Sequence, residues 1–299
     1  MQHTIHSRRP VMATLFEAWL VGDDEEHLVA VAEAAFDEIE RIEQVLSRFD
    51  RGAELQRVNR TAASEPVRLS VELYDVVADC LRCHVATEGY FDPAATADGT
   101  FKSEEGVAVA PLPFSAAVRL DPEQRTIVFT EPDMRLDLGG YGKGYALDAA
   151  AKILDRYDIK SALLHGGTSS VLSRGRMADG RPWTIALGDP FVAERTEIAK
   201  FALVDAGLST SASLDVPHAS SDIVDPIAGK PVSESEAFCV LAPTATEAEV
   251  LSTALTAMGR VRAIEYLRLH ADRWSPRVEV ACVTRTDGMS EVSWLRKAK

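Results

Sequence analysis

The sequence has 299 residues, of which 46% are hydrophobic and 26% charged, a composition typical of a soluble globular protein with one large domain or two ordinary ones. Its net charge of −14 argues against a nucleic-acid partner, because a phosphate backbone demands a basic protein face. Residues 1–10 carry charges but no apolar run, and no later stretch is long and apolar enough to span a bilayer. We therefore expect neither a signal peptide nor a membrane segment, and a cytoplasmic location.

The first half of the chain combines two helical patterns with short strand patterns. The clearest helix has apolar residues at helical spacing from Leu28 to Leu46, and Asp23 and Asp24 before it can cap its N-terminus. The predicted elements of this half are, in order, a strand over Val11–Val21, that first helix, a helix over Ser70–Thr87 that stops at Gly89, and a β-hairpin of Val118–Leu120 with Thr126–Thr130.

The second half continues with helices and strands in irregular order. Its predicted elements are a helix after a glycine cluster near Gly142, a strand over Ser161–Leu164, strands over Trp183–Leu187 and Ala199–Val204, a hydroxyl-rich loop over Ser209–Ser213, a turn over Asp222–Gly229, a strand over Phe238–Leu241, a helix opening at Thr246, a helix over Val261–His270 and a strand over Val278–Val283. Without regular β–α–β alternation, linkers or repeats, this order predicts an α+β fold. We expect one domain over residues 1–299, with mixed or antiparallel sheets flanked by helices.

A cluster of four glycines between Leu138 and Tyr145 contains Lys143 and precedes a helical pattern. Glycines let backbone N–H groups approach a ligand, and a helix N-terminus offers unpaired donors with a partial positive charge. Because Lys143 adds a full positive charge, the cluster predicts a phosphate-binding site. Its spacing differs from the Gly-x-x-x-x-Gly-Lys-Ser/Thr pattern of P-loops. A tight strand-to-helix turn without a ligand is the alternative interpretation.

The chain has four cysteines, and Cys80-Leu81-Arg82-Cys83-His84 matches the Cys-x-x-Cys-His pattern of covalent haem attachment. The match lies in an amphipathic helical pattern in which Cys80 and His84 have core spacing. Haem attachment also requires export, for which the sequence shows no signal. We therefore interpret these residues as core-facing or incidental, with haem or metal binding as the alternative.

Several motifs, taken in chain order, resemble one protein family. They are Met12-Ala13-Thr14, Leu46-Ser47-Arg48-Phe49 with Glu54-Leu55 and Asn59, Gly89-Tyr90-Phe91-Asp92, Asp137-Leu138-Gly139-Gly140-Tyr141-Gly142-Lys143-Gly144-Tyr145-Ala146-Leu147-Asp148, Gly166-Gly167, Thr210-Ser211, Asp225-Pro226 with Gly229, and Thr253-Ala254. Their order and spacing resemble the ApbE-type flavin transferases, the FAD:protein FMN transferases, over nearly the whole chain. The motif around Lys143 is the strongest of them.

The resemblance implies a Mg²⁺-dependent reaction in which FAD is cleaved, FMN passes to a threonine or serine of a partner protein, and AMP leaves. It makes Lys143 a catalytic residue that, with neighbouring glycines, binds phosphate. The cofactor-binding residues that it implies are Met12, Asn59, Asp92, Gly139, Gly140, Gly142, Lys143, Asp148, Gly166, Gly167, Thr210 and Ser211. The metal ligands that it implies are Glu249, Thr253 and Gly142. It does not define the oligomeric state.

Glu249 stands where the family has an aspartate that, with a threonine, binds the metal. Thr253 follows one helical turn later on the same face. The longer glutamate can still bind Mg²⁺, although this ion demands near-octahedral geometry. Thr246-x-x-Glu249 is alternatively a capping box, which needs no metal.

Asp222 replaces the family's histidine, the expected base for the acceptor hydroxyl, and Ala228 replaces a threonine. A carboxylate can act as base, although its ordinary pKa makes it weak near neutral pH. His218, four residues earlier, is the alternative base. Two functions therefore stay open: an active flavin transferase, or a flavin-binding protein of the same fold that has lost transfer activity. Slow hydrolysis of FAD to FMN and AMP lies between them.

Overall fold

The computed structural model describes residues 2–94, 112–132, 134–192, 196–213, 223–232 and 235–298. Its helices are α1 Glu25–Leu46, α2 Glu54–Thr61, α3 Val71–Ala86, α4 Phe114–Ala117, α5 Gly142–Arg156 and α6 Ala245–Leu269. Its strands are β1 His3–Val11, β2 Thr14–Gly22, β3 Val67–Arg68, β4 Val118–Asp121, β5 Thr126–Phe129, β6 Ser161–Gly166, β7 Ser170–Arg174, β8 Trp183–Gly188, β9 Glu197–Leu203, β10 Gly207–Ala212, β11 Val224–Asp225, β12 Lys230–Pro231, β13 Glu236–Ala242, β14 Glu279–Thr286 and β15 Met289–Arg296.

The fold is built on an eight-stranded sheet with the order β1-β2-β6-β7-β10-β13-β14-β15, in which all neighbours are antiparallel. Side chains of successive strand residues point to opposite faces. Leu164 and Leu172 of the sheet pack with α1 and α5 on one face, while Leu163 and Val171 pack with the β8–β9 hairpin on the other. The predicted α+β class with antiparallel sheets is therefore confirmed.

Helices α1 and α3 begin where their capping residues predict. Asp24 accepts a hydrogen bond from the N–H of His27 at 3.1 Å, and Ser70 accepts one from the N–H of Leu73 at 3.1 Å. Each cap satisfies a backbone donor that has no partner inside its helix. The apolar stripe of α1 from Leu28 to Leu46 is buried against the sheet. Both helix predictions are confirmed to within a residue or two.

The strand predicted over Val11–Val21 is confirmed from Thr14 onwards as β2, but it begins too early, because the chain reverses at Met12 and Ala13 in a β-hairpin with the unpredicted strand β1. Strand β1 ends at Val11, and the two turn residues Met12 and Ala13 have φ of 52° and 55°. Positive φ at both turn residues matches the twist of a two-residue hairpin. Two-residue hairpin turns usually contain glycine or asparagine. Met12 and Ala13 therefore gave no signal for this turn in the sequence.

The hydroxyl-rich loop predicted over Ser209–Ser213 is also wrong, since most of this segment is β10 in the middle of the sheet. Its backbone pairs with β7 and β13, and the hydroxyl groups of Ser209 and Ser211 are hydrogen-bonded to α6. Ser252 donates to Ser209 at 3.1 Å, and Ser211 and Ser252 share a hydrogen bond of 2.9 Å. Buried hydroxyls are acceptable in a central strand when they are hydrogen-bonded.

The two helices predicted near the C-terminus are the two parts of α6. Gly259, with φ 68° and ψ 165°, interrupts the helical backbone between them. The strand predicted over Val278–Val283 is β14, and the edge strand β15 that follows it was not predicted. Among the described residues, no helix is both long and apolar enough to cross a lipid bilayer.

Candidate functional site

A cavity of about 1080 Å³ opens where the N-terminus of α5, the first turns of α6 and strand β10 meet. Nine of the residues implied by the resemblance line it: Met12, Asp92, Gly139, Gly140, Lys143, Thr210, Ser211, Glu249 and Thr253. They come from five separate segments of the chain. The fold thus brings most of the expected site residues to one place.

Gly139 and Gly140 form the wall of the cavity beside the N-terminus of α5. A Cβ atom on Gly140 would lie 3.2 Å from both Oγ1 and Cγ2 of Thr253 and 3.6 Å from the ring of Phe91. Any larger residue would therefore fill the space between α5 and α6. The N-cap residue Tyr141 makes no side-chain cap hydrogen bond, and the N-terminal, positive end of α5 borders the cavity beside Gly139, Gly140 and Lys143.

Tyr141 and Tyr145 anchor the start of α5 to α3. The hydroxyl of Tyr141 donates to Asp79 at 2.7 Å, and that of Tyr145 donates to Glu72 at 3.1 Å. Burial raises the pKa of Tyr141 well above its usual value, and burial likewise raises the pKa of Tyr145. Both hydroxyls consequently stay protonated and act as donors.

Lys143 lies on the first turn of α5 and pairs with Glu249 of α6. Its Nζ is 2.8 Å from Oε1 of Glu249 and 3.2 Å from the carbonyl oxygen of Gly139. Glu249 is only 3% exposed, and its other oxygen accepts the N–H of Gly144 while Ser170 donates to Oε1 at 3.4 Å. A buried carboxylate is stable only with such partners. Glu249 therefore orients the Lys143 ammonium at the cavity, and the ion pair as a whole is neutral.

The capping box proposed for Thr246-x-x-Glu249 is wrong. Helix α6 is capped instead by Thr244, whose hydroxyl accepts the N–H of Glu247 at 3.1 Å. Because the N-cap is Thr244 and not Thr246, Glu249 lies beyond the capping positions and points towards α5. The Glu249 carboxylate accepts the N–H of Gly144, which lies in the first turn of α5.

Glu249, Thr253 and Ser211 present oxygen atoms at the same part of the cavity. Thr253 Oγ1 is 3.4 Å from Ser211 Oγ, and Thr253 follows Glu249 by one turn of α6. The described residues hold no group of three or more His, Cys, Asp or Glu side chains with metal-binding geometry. Mg²⁺ commonly binds one or two carboxylates and completes its shell with water and ligand phosphate. These residues fit Mg²⁺ in donor type, although Oε1 of Glu249 already accepts from Lys143.

Five further predicted residues do not line the cavity. Asn59 is buried, donates to the carbonyl of Leu136 at 2.9 Å and accepts its N–H at 2.8 Å. Asp148 accepts the N–H groups of Ala245 and Thr246, both at 2.9 Å, and so joins α5 to the start of α6. The glycines among them are Gly142, in the first turn of α5, and Gly166 and Gly167, which pass beside β2. The structure gives all five a supporting position.

The segment implied to carry the base is only partly described. Asp222 and His218 lie outside the described residues. Val224 and Pro226, which follow, line the cavity. Ala228 lies in an exposed turn, where its N–H donates to Asp225 Oδ1 at 3.0 Å. The role of Asp222 or His218 stays a prediction.

Two parts of the cavity were missed in the sequence. Ile185 and Leu187 of the β8–β9 hairpin provide an apolar wall, although no local pattern indicates that this hairpin folds over the sheet. Arg48 and Phe49 form the opposite rim, with the Arg48 guanidinium 4.3 Å from the Phe49 ring and 3.0 Å from Asp137. Both residues belong to the motif Leu46-Ser47-Arg48-Phe49, and this motif was the signal in the sequence that could have identified them.

The Cys-x-x-Cys-His motif lies in α3, where Cys80 and His84 are buried. The core interpretation is therefore confirmed for these two residues. Burial raises the pKa of Cys83 to about 12, and burial raises that of Cys80 well above its ordinary value. Both are protonated thiols at neutral pH, which disfavours metal binding.

Comparison with known proteins gives consistent matches. The ApbE family model matches residues 12–274. FAD:protein FMN transferase of Escherichia coli (strain K12) is 26% identical over 279 residues, covering 86% of this chain and 79% of that protein. The transferase of the same name from Haemophilus influenzae is 27% identical over 270 residues, covering 81% and 78%.

Solved structures have the same fold. Flavin transferase ApbE from Vibrio cholerae superposes with a TM-score of 0.80 at 22% identity, covering 98% of this chain and 97% of that one. Pseudomonas stutzeri flavinyl transferase ApbE gives a TM-score of 0.81 at 20% identity, with coverage of 98% and 94%. Since the family model spans most of the sequence, this chain belongs to the ApbE family.

Proposed function

We propose that this chain transfers FMN from FAD to a threonine or serine hydroxyl of an acceptor protein, with Mg²⁺ as cofactor and AMP as the second product. The observation that carries the proposal is the meeting of the α5 N-terminus, Lys143 and the Glu249–Thr253 face of α6 in one cavity. The relatives named FAD:protein FMN transferase support the same donor. The cavity volume of about 1080 Å³ suits a ligand as large as a dinucleotide.

The pyrophosphate of FAD is expected beside Gly139, Gly140 and Lys143. The helix N-terminus favours an anion there, and the Lys143 ammonium adds a full charge. Gly140 lets the turn approach Thr253 and Phe91 closely, because a Cβ there would lie 3.2 Å from Thr253. Lys143 can reach a phosphate only when it leaves or shares Glu249 Oε1, which now lies 2.8 Å from its Nζ.

Glu249 and Thr253 are the residues that would hold Mg²⁺. Gly142, the third residue implied by the resemblance, is buried in the first turn of α5. When bound, Mg²⁺ neutralises charge on the pyrophosphate oxygens. The chain's own contribution is to fix the Glu249 carboxylate, which the N–H of Gly144 holds in place.

In the proposed reaction, the acceptor oxygen attacks the phosphorus on the FMN side of the pyrophosphate. A bond forms between that oxygen and phosphorus, the bond from the same phosphorus to the bridging oxygen breaks, and AMP leaves with the bridging oxygen. Lys143 stabilises the negative charge that develops on the phosphoryl oxygens. The acceptor proton passes to a base, for which we propose Asp222, with His218 as the alternative.

The test incubates the purified chain with FAD and Mg²⁺, with and without a peptide that carries threonine and serine. AMP is measured by chromatography and covalent FMN on the peptide by mass spectrometry. We expect both products, and we expect EDTA or Lys143→Ala to abolish them. Lys160→Ala is the matched control. Lys160 is exposed, its Nζ lies 2.5 Å from Oδ1 of Asp158, and it does not line the cavity.

The outcomes separate the proposed function from its alternatives. AMP and free FMN without a modified peptide indicate hydrolysis with water as the acceptor. FAD binding without AMP under every condition leaves only the binding role. A chain that neither binds FAD nor forms AMP contradicts the proposal and both alternatives.

A further inference from the structure

His84, at the C-terminal end of α3, is a buried polar residue that the proposed reaction does not use. It is 3% exposed, and its ring packs edge-on against Phe114 with centroids 5.8 Å apart. Its Nδ1 is 3.0 Å from the carbonyl oxygen of Phe91. Because a carbonyl only accepts hydrogen bonds, Nδ1 carries the proton and donates. A core position alone does not require this contact.

The other peptide group of Phe91 is held by the same end of α3. The N–H of Phe91 donates to Thr87 Oγ1 at 3.0 Å, and Thr87 in turn donates to the carbonyl of Cys83 at 2.8 Å. His84 and Thr87 thus hydrogen-bond to the carbonyl and the N–H of Phe91, respectively. Asp92, the next residue, has Oδ2 3.7 Å from His84 Nδ1 and accepts the N–H of Ala94 at 2.8 Å.

The loop that carries Phe91 supports the glycine turn at two points. The Phe91 ring lies 3.6 Å from the position that a Cβ on Gly140 would take. The carbonyl of Pro93 accepts the N–H of Asp137 at 2.7 Å. The contacts therefore run from His84 through the loop to both ends of the 137–140 turn. Phe91, Asp92 and Pro93 also line the cavity itself.

We propose that His84 is a positioning residue for the phosphate-binding turn, acting through the Nδ1–H donated to Phe91. The inference rests on the proposed function, since it assumes that FAD is the ligand of that turn. Without the donor, the buried carbonyl of Phe91 loses its partner and the loop shifts to recover one. Such a shift moves the wall beside Gly140 and weakens FAD binding.

Two substitutions distinguish the Nδ1 donor from mere filling of the core. His84→Asn places an amide N–H where Nδ1 lies, whereas His84→Gln places it nearer the position of Nε2. We expect His84→Gln to raise the Kd for FAD about tenfold and His84→Asn to stay within about twofold of the original chain. Kd is measured from flavin fluorescence, and the thermal unfolding temperature is measured in parallel.

Val77→Ala is the matched control for lost stability, because Val77 is buried in α3 away from the loop. It should lower the unfolding temperature and leave the Kd for FAD unchanged. Equal Kd values for the Asn and Gln variants, or a tenfold rise in Val77→Ala, would overturn the inference. If neither His84 variant folds, Thr87→Val tests the other contact to Phe91, and an unchanged Kd there also overturns it.

The unsubstituted chain separates this inference from the proposed function. If it neither binds FAD nor forms AMP, the proposed function fails. If it binds FAD and forms AMP while His84→Gln keeps its affinity, only the role of His84 fails.

Discussion

Lys143 and Glu249 meet through folding, since they lie on different helices and far apart in the sequence. The carboxylate is almost fully buried, so its desolvation has to be offset by partners. It receives the Lys143 ammonium on one oxygen and the N–H of Gly144 on the other. A single acidic side chain thereby orients the lysine and satisfies the start of α5.

Glu249→Gln should lower the free energy of unfolding by about 3 kcal/mol, because the partly buried Lys143 loses its counter-charge. The amide oxygen can still accept from Gly144, so the helix contact is retained. Urea denaturation measures the change. Glu265→Gln is the control, since it breaks an exposed pair with Arg262 and should cost no more than about 1 kcal/mol. Equal losses in the two variants would contradict the importance of the buried pair.

Gly140→Ala should reduce FAD affinity at least about tenfold, since the new methyl group would lie 3.2 Å from Thr253 and would displace either the glycine turn or Thr253 at the cavity. Flavin fluorescence measures the affinity. Gly52→Ala serves as the comparison, because Gly52 is exposed and a Cβ there meets only Asp50 at 3.4 Å. If the Gly140→Ala variant binds FAD with the original affinity, FAD does not bind beside Gly140.

At the scale of elements, the contact between α5 and α6 determines the shape of the site. A Cβ on Gly144 would lie 2.6 Å from the carbonyl oxygen of Ala245, so the helices approach each other closely. Asp148 accepts two N–H groups at the start of α6 and closes the same contact one turn later. The caps of α6 and α5 are therefore linked, and the cavity lies beside this contact.

Gly144→Ala should destabilise the fold by about 3 kcal/mol, because the methyl group meets backbone that cannot rotate away. The two helices would have to separate, so FAD binding should weaken as well. Differential scanning calorimetry and flavin fluorescence measure both effects. Lys152→Ala, at an exposed position on α5, should leave both unchanged. A stable Gly144→Ala variant would mean that the helices are less closely packed.

For the whole molecule, the large sheet separates two apolar layers. One layer contains α1 and α5, and the other contains the β8–β9 hairpin. The cavity takes its polar wall from α5 and α6 and its apolar wall from the hairpin. Cys239 is buried on the hairpin side of the sheet, Cys282 is buried in a cluster with residues of α6, and all four cysteines are free thiols.

The buried thiols should react slowly with Ellman's reagent at pH 8. Burial raises the pKa of Cys239 to about 12 and that of Cys282 to about 11, so little reactive thiolate is present at that pH. In guanidinium chloride, all four thiols should react at once. Ser64→Cys, at an exposed position, supplies a fast-reacting control in the folded chain. Fewer than four reactive thiols after unfolding would indicate a disulfide.

Features that depend on neighbouring residues in the chain could be predicted from the sequence, whereas features that depend on contacts between distant segments could not. The helix from Leu28 to Leu46, its cap at Asp24 and the glycine turn before α5 were predictable, because spacing and capping are local properties. The ordered motifs also indicated the family. Strand β10 was missed because serine and threonine read as a loop until their partners on α6 are known.

By itself, the sequence determined the fold class and the family, and it named nine of the residues that line the cavity. Only the tertiary structure decided which groups Glu249 and His84 contact, because their partners lie on other segments of the chain. It also decided that the β8–β9 hairpin closes one side of the cavity. Periodicity, caps and glycine turns depend on neighbours in the chain. Buried charges and hydrogen-bonding side chains depend on which distant groups the fold brings within about 3 Å.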